Sequence, residues 1–195
     1  QSSRTNAISY IRSNIAKKMA KSEYKNHIVV RILGIGVGEN SKFKIPLFVL
    51  FRALGIQTDK EILNMIIYEN DSDNLKTELL DKLLNTIKDS EPIYTQKNAY
   101  KFLSLQTKEK DNINVIDILN NNFLPNYGNN LLIKAQFLGY SVRKMLLSYL
   151  GLIDTTDRDS YSYKRIDLAG SLLLELYREL WGGFKKTISK KLDYE

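Results

Sequence analysis

The apolar residues of this chain recur mostly three or four positions apart, which is the spacing of helices that bury one face. The longest such run, residues 131–150, predicts a helix, and Gly139 inside it is expected to permit a close helix crossing. A leucine-rich run over residues 72–87 predicts a core helix. Another run predicts a helix over residues 168–181, ended by the glycine pair 182–183.

The first third of the chain mixes two periodicities. Residues 8–25 carry isoleucines at helical spacing beside a cluster of lysines, and they predict a basic amphipathic helix. Residues 27–33 are rich in Ile and Val and predict a strand, which a turn at residues 34–38 connects to a returning strand at residues 42–44. With the remaining runs included, the predicted fold class is α+β and predominantly helical, with seven or eight helices and a small β-hairpin or sheet.

Two short helices are predicted next from their end signals. Pro46 suits the first position of an almost wholly apolar helix that Gly55 would end. Thr58 and Glu61 have the spacing of a capping box, which predicts a second helix running to residue 68. Arg52 is the lone charge in the first helix, and it is expected either to pair with a buried carboxylate or to extend its stem towards water.

Charge leaves two interpretations open. The 195 residues include 29 basic and 22 acidic side chains, a formal charge of +7. A polyanion partner is one explanation, and an ordinary soluble surface is the other. The absence of cysteine excludes disulfides and thiolate metal sites, and no apolar run approaches the length of a membrane helix. No signal-peptide pattern opens the chain, so an intracellular location and no membrane partner are expected.

Catalytic patterns are missing from the sequence. The single histidine, His27, excludes histidine-dependent triads and histidine metal clusters. The glycines of residues 34–38 lack the spacing of a dinucleotide fingerprint. The acids Asp154, Asp157 and Asp159 do not fit a calcium loop, because Ser and Leu stand where Gly and Glu are required. No catalytic residue, metal or cofactor is therefore expected in this chain.

The segment 157–170 is the most informative part of the sequence. Its first nine positions hold five charged side chains, and it then changes abruptly to Leu-Ala-Gly. This pattern predicts an exposed loop that runs directly into a packed helix. Loops held on rigid elements often carry binding residues.

This segment resembles a signature of the second-largest (beta-type) subunit of multisubunit DNA-directed RNA polymerases, cellular and viral, where it closes the domain called the lobe. Three more blocks resemble the family in the same order along the chain. The residues matching the signature are Asp157, Arg158, Asp159, Tyr161, Lys164, Arg165, Asp167, Leu168, Ala169, Gly170, Leu172 and Leu173, and the departures are Ser160, Ile166 and Ser171. The other blocks are residues 45–62, residues 123–147 and the weaker match at residues 10–13.

The resemblance implies a role within a larger enzyme. Residues 1–195 are expected to be a single lobe domain, excised from a much longer subunit, that forms a wall of the downstream DNA cleft. The family's complete enzyme is a nucleotidyltransferase, and its Mg²⁺ is held by the largest subunit. Implied partners are duplex DNA, the largest subunit, a small zinc-ribbon subunit and initiation factors. The wealth of Asn, Ile, Lys and Tyr suggests a divergent lineage such as a large DNA virus.

A cleft wall should contact phosphates through basic side chains without reading bases. The candidate phosphate ligands are Arg158, Lys164 and Arg165, and the accompanying loop residues are Asp157, Asp159, Tyr161, Tyr163 and Asp167. An alternative is that these acids and bases pair among themselves to shape the loop. Two other functions stay open at this point: a free-standing basic module that binds nucleic acid, and a protein–protein scaffold.

Overall fold

A computed structural model describes residues 6–11, 27–36, 43–157, 159–164, 166 and 168–192 of the chain. The described residues form three strands, seven α-helices and two short 3₁₀ turns, which confirms the predicted fold class. The strands are β1 (Ala7–Ile11), β2 (His27–Arg31) and β3 (Ile45–Pro46). The helices are α1 (Leu47–Ala53), α2 (Asp59–Ile66), α3 (Asp73–Lys88), α4 (Gln96–Ser104), α5 (Asn112–Asn121), α6 (Leu131–Tyr149) and α7 (Ala169–Leu192), and the 3₁₀ turns are Pro125–Tyr127 and Tyr161–Tyr163.

The chain divides into two compact units. The larger unit is Gln1–Asp154 and the smaller unit is Thr155–Glu195. The larger unit contains the sheet and helices α1 to α6, and the smaller unit contains the signature loop and α7. The single lobe domain over residues 1–195 stays a prediction, with this boundary inside it.

The sheet is antiparallel throughout, in the order β1–β2–β3. Ala7 pairs with Arg31 and Ile11 with His27, while Val30 pairs with Ile45. The helix predicted over residues 8–25 is therefore wrong at its start, where β1 stands, and residues 12–26 lie outside the described ranges. Isoleucine spacing alone favoured a helix there, but β-branched residues also suit a strand, and backbone pairing with β2 decides between the two.

Helix α1 forms the centre of the core, because all seven of its residues are buried. It packs against β2, β3, α2, α3 and α4, while α5 packs on α4 and α6 packs on α2. A helix that is apolar on every side is stable in water only when other elements surround it. The larger unit is thus built in a shell around residues 47–53.

Most helix ends follow the capping signals of the sequence. The Thr58 hydroxyl accepts a hydrogen bond from the Glu61 N–H, and Ser72 caps α3 in the same way. Gly55 follows the end of α1 with a φ of +101°, a conformation that favours glycine. Pro46 precedes the helix by one position, as the N-cap residue rather than the first helical residue.

Several predicted boundaries are wrong, and strand β2, for example, ends at Arg31 rather than residue 33. Helix α2 ends at Ile66 rather than residue 68, because Asp71 accepts a hydrogen bond from the Tyr68 N–H in the following turn. The returning strand is β3, after the predicted residues 42–44, of which residue 42 lies outside the described ranges. Helix α7 does not stop at the glycine pair 182–183 but continues to Leu192, and it is not the packed helix that was predicted, because none of its residues is buried. Each glycine costs a helix about 1 kcal/mol relative to alanine, and the strong helix formers on both sides outweigh that cost here.

Gly139 lies at the closest approach between α6 and α2. A Cβ built on Gly139 would stand 2.7 Å from the carbonyl oxygen of Met65 and 2.8 Å from its Cβ. Real Cβ atoms do not approach a backbone oxygen so closely, so only glycine lets the two helices pack at this distance. The helix crossing predicted from the sequence is present at this glycine.

We expect Gly139→Ala to destabilise the larger unit by about 1–3 kcal/mol, because the added methyl group must push α6 away from the backbone of α2. The helix propensity of alanine opposes this effect by only about 1 kcal/mol. Urea denaturation followed by circular dichroism measures the net change. Gly182→Ala is the matched control: it adds the same methyl group within α7, where nothing lies within 4 Å, and it should not destabilise the chain.

Candidate nucleic-acid interface

The signature loop has a defined local structure in the smaller unit. Asp157 accepts a hydrogen bond from the Asp159 N–H through its side chain, at 2.9 Å, and one from the Ser160 N–H through its carbonyl. Ser160 in turn caps the 3₁₀ turn Tyr161–Tyr163 by accepting from the Ser162 N–H. Asp157 therefore accepts hydrogen bonds from the backbone of the loop, as Asp residues commonly do in turns.

Apart from the half-buried Ser160, the described side chains of this loop are exposed. Tyr161 is 83% exposed, and the side chain of Lys164 is 48% exposed. The Lys164 Nζ lies 3.9 Å from the Asp159 carboxylate and 5.8 Å from the centre of the Tyr161 ring. A pair at this distance in water contributes little to stability, so the Lys164 ammonium can exchange Asp159 for an incoming phosphate at small cost.

Four of the predicted loop residues lie wholly or partly outside what the structure describes. Arg158, Arg165 and Asp167 lie outside the described residues, and of Tyr163 only the backbone is described. The structure thus brings Lys164, Asp159 and Tyr161 together. The Lys164–Asp159 pair is of the weak, exposed kind.

Within the described ranges, no group of three or more His, Asp and Glu side chains is arranged to hold a metal ion. His27 opens β2, and its Nδ1 is bonded to the carboxylate of Asp89, the C-cap residue of α3. The Ile28 N–H donates to Thr86 on the same helix. Burial lowers the pKa of His27. This histidine thus ties the sheet to α3.

Three basic residues within the family-like blocks point inwards, and the first is Arg52. It is 1% exposed, and its guanidinium donates to the carbonyls of Ser90 and Ile93 and to the Asp59 carboxylate at 2.5 Å. The ring of Tyr94 lies 5.1 Å from the guanidinium. Of the two expectations for Arg52, pairing is the one observed, although the Asp59 carboxylate is 40% exposed rather than buried.

Lys134 is the second inward cation, and it is fully buried. Its Nζ donates three hydrogen bonds of 2.7 to 2.9 Å to the carbonyls of Leu119, Asn120 and Phe123. These carbonyls end α5 and begin the turn after it, where helices leave acceptors without partners. An ammonium carries three donors and so satisfies all of them, even though burial lowers the pKa of Lys134.

Arg143 is the third inward cation. It forms two parallel hydrogen bonds of 2.6 Å with the Asp71 carboxylate, donates to the Ile66 carbonyl and stacks over the Tyr68 ring at 4.1 Å. The side chains of Arg143 and Asp71 are only 12% and 10% exposed. The bidentate contact raises the pKa of Arg143 and lowers the pKa of Asp71. This pair fixes the α2–α3 turn to α6.

Lys134 and Arg143 lie in the family-like block of residues 123–147, but the sequence alone did not predict their roles. Nothing in the residues around Lys134 indicates that its ammonium binds the last carbonyls of another helix. The signal that could have found them is a charged residue inside a strongly apolar helical pattern, which indicates an internal partner. The same reasoning did apply to Arg52.

With this geometry in place, comparison with known families assigns the chain. The profile of RNA polymerase Rpb2, domain 2, matches residues 2–167. The chain belongs to this family, the second-largest subunits of DNA-directed RNA polymerases, and the resemblance drawn from the sequence motifs is confirmed.

Similar proteins come from distant lineages. The chain is 37% identical over 154 residues to DNA-directed RNA polymerase II subunit RPB2 of Encephalitozoon cuniculi, a match covering 74% of this chain and 13% of that protein. It is 35% identical over 147 residues to DNA-directed RNA polymerase II subunit 2 of Arabidopsis thaliana, covering 71% and 12%. It is 30% identical over 158 residues to subunit Rpo2 of Saccharolobus solfataricus, covering 77% and 13%. The chain thus spans about an eighth of the length of these relatives.

None of the helices in the described ranges combines the length and the apolar character needed to cross a membrane.

The ion pair between Arg143 and Asp71 allows a prediction about stability. We expect Asp71→Asn to lower the free energy of unfolding by about 2–3 kcal/mol, because it leaves the Arg143 guanidinium largely buried without its countercharge. Asp81→Asn is the control: it removes the carboxylate of an exposed pair with Lys82 and should change stability little. Equal effects of the two substitutions, measured by urea denaturation at pH 7, would contradict this account.

The same pair predicts a pH dependence. Because the folded-state pKa of Asp71 lies below its ordinary value of 3.8, the pair stabilises the fold fully above that value. The stabilisation is lost as the pH falls from 3.8 through the lowered folded-state pKa. Unfolding curves of the wild type and Asp71→Asn should therefore differ by a constant amount near neutral pH and converge in strong acid.

Proposed function

We propose that this chain serves as the lobe of the second-largest subunit of a DNA-directed RNA polymerase, forms part of the wall of the downstream DNA cleft and offers a docking surface to a small zinc-ribbon subunit and initiation factors. The complete enzyme would transfer nucleotidyl groups, with its Mg²⁺ held by the largest subunit. This chain would contribute binding rather than chemistry.

The observation that carries the proposal is the contrast between two sets of basic residues. Arg52 and Lys134 are buried and Arg143 is half-buried, and all three donate to internal acceptors, so they are poorly placed to contact DNA. Lys164 stands instead on a capped, exposed turn beside an exposed tyrosine. A side chain that binds phosphate must be reachable by water and by a polyanion. The ammonium of Lys164 fulfils this condition.

The mechanism in this role is electrostatic and independent of sequence. Lys164 would neutralise one phosphate, and Arg158 and Arg165 are proposed to do the same from neighbouring positions of the loop. Each neutralised phosphate releases condensed counterions from the duplex, so affinity falls as salt rises. No base contact is required, which suits a channel through which every template must pass.

We expect Lys164→Ala to reduce the salt dependence of DNA binding by the intact polymerase. The slope of log K against log salt should become shallower by about 0.9, the contribution of one phosphate contact. Arg158→Ala and Arg165→Ala should each have an effect of similar size. Fluorescence anisotropy of a labelled duplex, titrated at several salt concentrations, measures the slope.

Asp159→Ala serves to separate phosphate binding from loop shaping. If Lys164 binds phosphate, removing the nearby carboxylate should tighten binding, whereas Lys164→Ala weakens it. If the Lys164–Asp159 pair only shapes the loop, both substitutions should weaken binding in the same direction. An unchanged slope in all three basic variants would remove this loop from the DNA interface.

A further inference from the structure

Three main-chain carbonyls surround the Lys134 ammonium at the C-terminal end of α5. They belong to Leu119, Asn120 and Phe123, and their oxygens lie 2.7 to 2.9 Å from Nζ. These three oxygens form a carbonyl cage. Lys134 is fully buried, so the cage stands in place of the water that would otherwise surround its charge. Backbone carbonyls replace the hydration shell of potassium ions in the same way.

The cage suits a cation of single charge. Its three ligands are neutral carbonyls, and no Asp or Glu occurs from residue 118 to residue 153, the stretch that holds both the cage and Lys134. Calcium and magnesium bind oxygen at shorter distances, about 2.0–2.6 Å, and largely through carboxylates. The carbonyl dipoles at the end of a helix favour a cation of any kind. The longer contacts of this neutral cage therefore favour an ion with the size and charge of ammonium.

The cage also begins a strained turn. Leu124 follows it with a φ of +45°, a left-handed conformation that is unfavourable for a leucine. The Phe123 carbonyl belongs to the peptide bond that enters Leu124, so its hydrogen bond to the ammonium fixes the orientation of that peptide. The 3₁₀ turn Pro125–Tyr127 comes next, and the Tyr127 ring packs on Phe137 of α6 with centroids 5.1 Å apart. Helix α6 thus holds both ends of the turn.

We propose that the carbonyl cage is a binding site for one monovalent cation, that Lys134 fills it with its own ammonium, and that the bound cation locks the turn of residues 122–127 onto α6. Free ammonium, or potassium as an ion of similar size, binds the cage when Lys134 is shortened. The site requires nothing of the proposed function, since all of its atoms lie in the larger unit.

The test uses the whole 195-residue chain carrying Lys134→Ala, which removes the ammonium and leaves room for a free ion. Lys134→Met is the matched control, because it is equally uncharged but its side chain fills the space. Urea denaturation is followed by circular dichroism in the chlorides of ammonium, potassium and tetramethylammonium at equal ionic strength. Relative to tetramethylammonium, the two smaller ions should raise the folded-to-unfolded ratio of Lys134→Ala by at least about threefold. Wild type and Lys134→Met should show only the small salt effect that they share.

Hydrogen exchange shows whether the ion acts at the cage. The N–H groups of Asn122 and Phe123 donate to the Ile118 carbonyl, and the Tyr127 N–H donates to the Leu124 carbonyl. These amides should exchange faster in the alanine variant than in wild type. Ammonium should then slow their exchange more than it slows the exchange of amides in α3.

The absence of cysteine from the chain allows a second test, which decides if Lys134→Ala does not fold. Lys134→Cys carries a single thiol that can be alkylated in urea before the chain is refolded. Aminoethylation rebuilds an ammonium on a side chain of nearly native length. Propylation gives the same shape without charge, and a trimethylammonioethyl group keeps the charge without N–H donors. We expect only the aminoethylated chain to recover the urea midpoint of wild type.

Several results would overturn the proposal. A folded Lys134→Ala chain that gains no stability in ammonium or potassium would show that the cage does not hold a free ion. An equal gain in Lys134→Met, or equal slowing of exchange in α3, would show that the salts act elsewhere. Equal midpoints of the aminoethylated and propylated chains would show that the turn does not depend on a bound cation.

Discussion

The guanidinium of Arg52 holds together the centre of the larger unit. It is a cation inside a helix that is otherwise apolar on every side, so its hydrogen bonds must be met by the protein itself. Its two terminal nitrogens donate to the carbonyls of Ser90 and Ile93 and to the carboxylate of Asp59. The turn before α4 and the first turn of α2 are thereby fixed to α1. These contacts fasten two neighbouring segments to the helix at the centre of the core.

Lys134 and Arg143 extend the same principle outwards. Lys134 donates to three carbonyls at the C-terminal end of α5. Arg143 fixes the α2–α3 turn by a bidentate contact with Asp71. Cations placed in this way are costly to bury and strongly destabilising to lose. The formal charge of +7 therefore overstates the positive charge available to a polyanion, because three of the basic residues bind acceptors inside the fold instead. The proposed phosphate contact can draw only on the exposed basic residues, of which Lys164 is one.

The smaller unit presents the proposed phosphate contact of this chain. Its loop offers an exposed ammonium, and the helix that follows the loop carries exposed aliphatic and aromatic side chains. Because loop and helix are continuous in sequence, the helix restricts the conformations of the loop, and a restricted loop binds phosphate at a smaller entropy cost.

The sequence by itself determined the features that local chemistry controls. Thr58 and Ser72 begin helices because their hydroxyls reach an N–H three residues on, and the family motifs fixed the class of protein. Only the tertiary structure decided the rest. Pairing with β2 made a strand of residues 7–11. The carbonyls that Lys134 satisfies belong to another helix. Such contacts join segments far apart in sequence, so no local pattern can specify them.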